Sequence, residues 1–264
     1  MAVHSVVSKY YSGQGIVMLA TRDINGDAEG FLPIGNVSEL KVSTSIATLD
    51  HKTTEHGTSG IDKKLQTETA VNISMVFESI DADNLKLGLQ GDLTIVPAGS
   101  GIVGPNTTSV ALGRSYDIGA LKVSNVVVKN SAENITYEEG KNYTINANSG
   151  SIYYMTAAEQ VLASPITTLV DASEVHITSY DTAGYKEIHA LTQDLATRWL
   201  RFEGLNTVDT EEPVIVDVYK FSIGSIAELS LISDDIAGLP MEGSVLLDPT
   251  KLTGSKYYRV RSTT

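Results

Sequence analysis

Apolar and polar side chains alternate along this chain over unusually long stretches. From Leu40 to Thr48, the residues Leu40, Val42, Thr44 and Ile46 alternate with Lys41, Ser43, Ser45 and Ala47. From Leu65 to Phe77 the positions Leu65, Thr67, Thr69, Val71, Ile73, Met75 and Phe77 form one set, and Gln66, Glu68, Ala70, Asn72 and Ser74 the other. Successive side chains of a strand point to opposite faces, so this period of two predicts two strands with one face on a core and one polar face. Between them, Asp50–Lys64 is polar, rich in Gly, Ser and Thr, and charge-balanced. It predicts a long loop, well beyond the roughly two to five residues of most hairpin connections, and such loops commonly carry function.

The pattern elsewhere is also β. Residues 14–22 form an apolar run that ends at Asp23-Ile24-Asn25-Gly26-Asp27, and a short run from Gly30 to Ile34 follows. Asn-Gly between two such runs predicts a hairpin. After the second alternating strand, Asp81 is placed to cap a short helix whose apolar face is Ala82, Leu85 and Leu89, with Gly91 just beyond its end. Arg198–Glu203, Val214–Ile223, Glu228–Ser233, Ser244–Leu247 and Tyr257–Arg261 predict the closing strands.

Composition changes near residue 100. AGSGIVGPNTTS reads as a linker, and short β runs follow at Leu121–Lys129, Ile135–Tyr137, Tyr143–Asn146, Ile152–Met155 and Glu174–Tyr180. Ala157–Ala163 can make a helical turn before Pro165 stops it. The expected organisation is a first domain part over 1–100, an inserted β-rich module over 101–184 and a closing part over 185–264. The predicted fold class is mainly β, a sandwich or barrel with one flanking α-helix and an inserted β-rich subdomain.

Cysteine is absent, which removes disulfides, thiolate metal sites and cysteine nucleophiles together. Stability is then expected from burial or from oligomerisation. The first residues, MAVHSVVSKYYSGQG, show no basic segment leading into an apolar run, so no signal peptide is expected. The net charge of −13 is spread along the whole chain, which disfavours holding a phosphate backbone.

Candidate chemistry is sparse. Gly99-x-Gly101-x-x-Gly104 has the dinucleotide spacing, but Pro105-Asn106-Thr107-Thr108 follows where a helix N-terminus would have to cradle the phosphates, so a flexible linker is expected. Of the histidines, His4, His51, His56, His176 and His189, only His51 and His56 share a segment, with Asp50 and Glu55. Their spacing fits no helix face or ligand motif, so exposed loop residues are expected. Glu138-Glu139 and Asp234-Asp235 are adjacent carboxylates that a strand would point to opposite faces, which suits turns better than acid–base catalysis. No Gly-x-Ser-x-Gly elbow is present. Asn-x-Ser/Thr triplets such as those at Asn36, Asn134 and Asn142 read as turns, and the 12 tyrosines with Trp199 as core or interface fillers. The sequence therefore predicts a non-enzymatic protein with no cofactor and no metal.

The order of these pieces resembles a known family. GIVMLATRDINGDAEGFLPIGNV followed by ELKVSTSIATLDHKTTEHGTSGIDKKLQTETAVNISMVFESIDADNLKLGLQGD is similar to the major tail tube proteins of long-tailed bacteriophages, siphophages in particular. FEGLNT, EEPVIVDVYKFSI and ELSLISDDIAGLPMEGSVLLD resemble that family's closing part, and VSNVVVK with ITYEEGKNYTINANSGSIYY resembles a module carried in mid-chain. The resemblance implies a tail-tube-type β-sandwich or barrel whose copies form hexameric rings stacked into a hollow tube that passes DNA during ejection. It implies as partners further copies of the chain, the tail tip or initiator, the tape measure and the tail terminator, and a place in the virion after a stay in the host cytoplasm, with no membrane insertion. By the same transfer, Asp50, His51, Lys52, Glu55, His56, Asp62, Lys63 and Lys64 belong to an inter-ring loop, and Glu39 and Glu68 face the lumen. A capsid or tail decoration module built on an immunoglobulin-like or carbohydrate-binding sandwich is the alternative.

Overall fold

The computed structural model describes residues 10–263, apart from 55, 56, 58, 209–211, 227, 233 and 235–237. Strand makes up 52% of the chain and helix 6%, which makes it a mainly-β protein. It divides into one unit formed by Met1–Leu93 with Ile188–Thr264 and a second formed by Thr94–Glu187. The expected 101–184 module lies inside the second range.

The first unit is built on β1 (Gly13–Ala20), β2 (Leu32–Pro33), β3 (Val37–Thr53), β4 (Gly60–Phe77) and α1 (Ala82–Gly88), and β5 (Asp92–Val96) begins in its range and ends in that of the second. The second carries β6 (Gly99–Ile102), β7 (Asn106–Thr107), β8 (Arg114–Asp117), β9 (Val123–Asn130), β10 (Tyr143–Asn146), β11 (Ser151–Tyr154), α2 (Ala157–Ala163) and β12 (Val175–Thr182). After β13 (Tyr185–His189) the chain completes the first unit with β14 (Thr197–Asn206), β15 (Glu212–Ile223), β16 (Leu239–Val245) and β17 (Tyr258–Ser262).

In the first unit these strands make an eight-stranded sheet in the order β2-β1-β14-β15-β16-β4-β3, with β17 also paired to β15. Every pairing in it is antiparallel. One face carries the core, where Val71, Ile73, Met75 and Phe77 of β4 meet Leu200, Val218, Phe221, Ile223 and Met241. Leu85 and Leu87 of α1 pack against it. Asp81 caps that helix by accepting from the Asn84 amide at 2.8 Å, and Gly91 closes it onto the Lys86 carbonyl at 3.0 Å. The helix-internal Gly88 has a packing reason, because a Cβ there would lie 2.8 Å from Cγ2 of Ile226.

The opposite face of the sheet holds a smaller cluster of Ala20, Trp199 and Tyr219, with Phe31 against it. Beside it Asp217, 1% exposed, accepts from Arg259 at 2.9 Å and from Arg261 at 3.0 Å. Both arginines come from β17, so this carboxylate ties the last strand to the sheet. Nearby, Asp248 is also buried and meets Arg22 at 2.7 Å. Burial pushes its pKa up, but hydrogen bonds from Thr250 and the charges of Arg22 and Lys251 outweigh that and hold it below the usual carboxylate value.

The second unit has its own core, centred on Val110, Ile118, Val128, Ile152, Tyr154 and Leu169. Burial there pushes the Tyr143 phenol up to about 12, with the Glu139 charge adding to it, and Tyr154 is raised further by the same cause. Two fully buried amides are satisfied within this core. The Asn142 amide donates to Gln160 at 2.9 Å and to the Thr167 carbonyl at 2.8 Å, and Gln160 donates to the carbonyls of Met155 and Leu169. The sequence expected one flanking helix and at most a turn here; α2 is a second helix. It is closed at its start by a capping box in which Thr156 and Glu159 satisfy each other's backbone amides. Thr156→Ala is expected to cost the second unit about 1 kcal/mol, measured by urea unfolding followed through the tyrosine signal.

Two expected strands are not formed: Ile135–Tyr137 contributes only an isolated bridge between Thr136 and Lys129, and Glu228–Ser233 forms no strand among its described residues. Residues 228–232 pair with no strand, Leu231 and Ile232 are largely exposed, and Ser233 lies outside the described residues. The physical reason in this second case is that β16, which begins at Leu239, already pairs with both β15 and β4 and fills the position beside them.

Candidate assembly surface

The two alternating strands are β3 and β4, and they run much further than the alternation. They are 17 and 18 residues long, against about 5–6 for an ordinary strand. The Asp50–Lys64 segment, expected as a loop, is for the most part the outer end of this hairpin. Asp50, His51 and Lys52 stand in β3, paired with Lys64, Lys63 and Ile61 of β4. Asp62 lies in the same stretch of β4, while Glu55 and His56 lie outside the described residues. The loop expectation failed because both faces here meet water. Polar side chains and glycines then occupy every position but Ile61, and the period of two loses its contrast, although ladder pairing still fixes the backbone.

Burial shows where the hairpin leaves the core. Val71, Ile73, Met75 and Phe77 are buried, whereas β4 from Gly60 to Glu68 and β3 from Lys41 to Lys52 are exposed throughout. Val71, the last buried residue of β4 toward the arm, pairs with Thr44, so about nine residues of β3 extend past it, roughly 30 Å at about 3.3 Å per residue. The result is a two-stranded arm.

Bulges shape the arm. The register shifts between Ala47 and Thr48 and again between His51 and Lys52. Directly opposed residues share a face, so the first shift puts Leu49 opposite Leu65 while Ile46 stands opposite Thr69. Leu65 therefore does not continue the core-facing row of Val71 to Phe77, as the bare alternation suggested. Ile46, Leu49, Ile61 and Leu65 are 46–60% exposed, a scatter of apolar contact points along the arm.

Its charges are partly matched across the strands. His51 meets Asp62 at 2.6 Å and Lys64 meets Asp50 at 3.6 Å. Lys52 and Lys63 make no ion pair among the described residues. Glu39 pairs with Val76 and Glu68 with Ala47, and the register sets both glutamates on the face that also carries Lys41, Ser43 and Ser45. That face is opposite the one that continues into the core. Glu39 is half-exposed and pairs with Lys41.

β3 pairs with β4 alone among the described strands, so its other edge presents a long row of unmatched backbone donors and acceptors. An edge of this length is a template for another strand, and proteins normally cover or shorten it. The unit also holds a groove of about 870 Å³ far along β3 from the arm's end, lined by β1, β2, α1 and residues 193–198. No local signal in the sequence marks this groove, because its walls come from distant segments.

The other sequence candidates are dispersed. His176 lies in the second unit beside Glu174 and Glu133, and His4 lies outside the described residues. Glu138 accepts from the Ile166 amide at 2.7 Å, which with Lys141 lowers its pKa and makes it a loop fastener. Asp235 lies outside the described residues. Gly104 is followed by strand β7 and its amide bonds Ile177, so no helix N-terminus stands behind the glycines. No group of three or more His, Asp or Glu side chains suited to a metal occurs among the described residues. No helix among them is long and apolar enough to cross a membrane.

Comparison with known families matches residues 10–261 to the family described as Protein of unknown function UCP028589. The chain belongs to that family. The matched range takes in both units of this family member, the arm and the groove included. No curated protein matches the chain.

Proposed function

We propose that this protein is the repeating subunit of a phage tail tube, assembling as stacked hexameric rings around a channel that DNA traverses. The observation that carries this reading is the arm. It is a paired ladder exposed on both faces, with an open edge along β3 and apolar side chains that none of the described residues of the first unit covers. A monomer gains nothing from such a projection and is exposed to uncontrolled strand pairing, whereas neighbouring copies that cover it turn the same surface into contact area.

The charge distribution supports the same reading. A chain of net charge −13 offers DNA a repelling wall, and Glu39 and Glu68 share one face of the hairpin that forms that wall in the proposed tube. Tail tip, tape measure and terminator proteins are the partners this role requires, and the assembled virion is its place.

The reading is tested by sedimentation velocity and negative-stain microscopy across a concentration series. Ring-sized species that grow into stacked particles as concentration rises are the expected result. A single monomer boundary at every concentration, with and without the tail-tip complex, contradicts it.

A further inference from the structure

We infer that the groove beside α1 is the receptor for the arm of a second copy, so that the chain carries both halves of one head-to-tail contact. The inference rests on the assembly reading above and names the docking site within it.

The first observation is placement. Ile34 lines the groove and β3 starts at Val37, so the arm is rooted next to the groove and leads away from it. Thr53, at the far end, is about 50 Å along the strand from that root at roughly 3.3 Å per residue. The arm cannot fold back onto its own groove without breaking its ladder. A donor surface and an acceptor surface at opposite ends of one subunit make a heterologous contact, which repeats from copy to copy along an axis.

Chemistry is the second. The groove has an apolar floor of Leu19, Phe31, Pro33, Ile34 and Leu87, and Leu32 at its margin is 75% exposed. That floor suits the uncovered Leu49 and Leu65, which stand opposite each other on one face of the arm.

Charge is the third. Five carboxylates line the groove, Glu29, Asp81, Asp83, Asp92 and Asp194, against only Lys86 and Arg198. Asp83 and Asp194 make no ion pair among the described residues. Most of this acidic chain would be repelled there. The arm segment is instead charge-balanced, and its Lys52 and Lys63 are cations without an ion pair among the described residues. Acidic groove and lysine-bearing arm are thus complementary in sign, which fixes both partner and register.

The natural absence of cysteine makes the test clean. Leu49→Cys on one batch of protein and Leu32→Cys on another are mixed under mild oxidation. An arm-to-groove disulfide between the two is expected, and none when Leu49→Cys is mixed with Leu162→Cys, a control at an exposed site of the second unit that does not line the groove. Lys52→Glu with Lys63→Glu in the arm batch should lower the yield about tenfold or more, and Asp83→Lys with Asp194→Lys in the groove batch should restore it. If wild-type protein multimerises but the arm-to-groove disulfide is absent, or forms equally with the control, the groove is not the receptor and the assembly reading stands. If wild-type protein stays monomeric throughout, the assembly reading itself fails and this inference with it.

Discussion

Replacing residues 47–68 by a two-residue Asn-Gly turn, so that Ile46 and Thr69 are joined as a tight hairpin, should leave a folded protein that no longer assembles. Ile46 and Thr69 are already paired across the ladder, which is the geometry such a turn needs. None of the described residues removed is buried, and the core begins at Val71. Stability of the first unit is therefore expected to stay within about 1 kcal/mol, as for other surface changes. It can be followed by fluorescence, because Trp199 is the only tryptophan and belongs to that unit. Assembly should be lost altogether at concentrations where the unaltered chain forms rings. Rings of normal size from the shortened protein would remove the arm from the account.

Phe221→Ala should have the opposite profile, a large loss of stability with the arm untouched. Phe221 is fully buried in the first unit's core. Its ring also lies across Gly243 on β16, where a Cβ would come within 2.5 Å of it. The glycine makes room for the ring, so truncating the ring opens a cavity that the neighbouring strands cannot close. A cost of about 3–5 kcal/mol is expected, read from the urea midpoint of Trp199 fluorescence. Phe221→Leu should recover most of it. A loss below about 1 kcal/mol would mean that the site collapses, and that this part of the core is less tightly fixed than described.

How far the sequence foretold this structure depends on where each strand meets a core. The rows Leu40 to Ile46 and Val71 to Phe77 were legible because one side of each is apolar and the other wet. Asp50–Lys64 was not, because a strand with water on both sides carries no such contrast, and its pairing is a property of two segments together. The bulges that set Leu49 opposite Leu65 are likewise invisible in one strand read alone. The start of α1 was legible from Asp81, whereas α2 was expected only as a turn, although Thr156 and Glu159 carry the capping-box spacing. The groove could not be read at all, since its walls come from residues 19–34, 81–92 and 193–198. Asp217 left a faint mark, a lone carboxylate in the apolar run of β15 and two arginines at alternate positions of β17, but only the sheet register brings them together.

Electron cryo-microscopy of the concentrated wild-type chain tests the central claim most directly. The account predicts six-fold rings stacked into a hollow tube, with β3 edges covered by neighbouring copies and Glu39 and Glu68 on the channel wall. Isolated subunits at all concentrations, even with tail-tip components added, or rings with both glutamates on the outer surface and the arm in solvent, would contradict it.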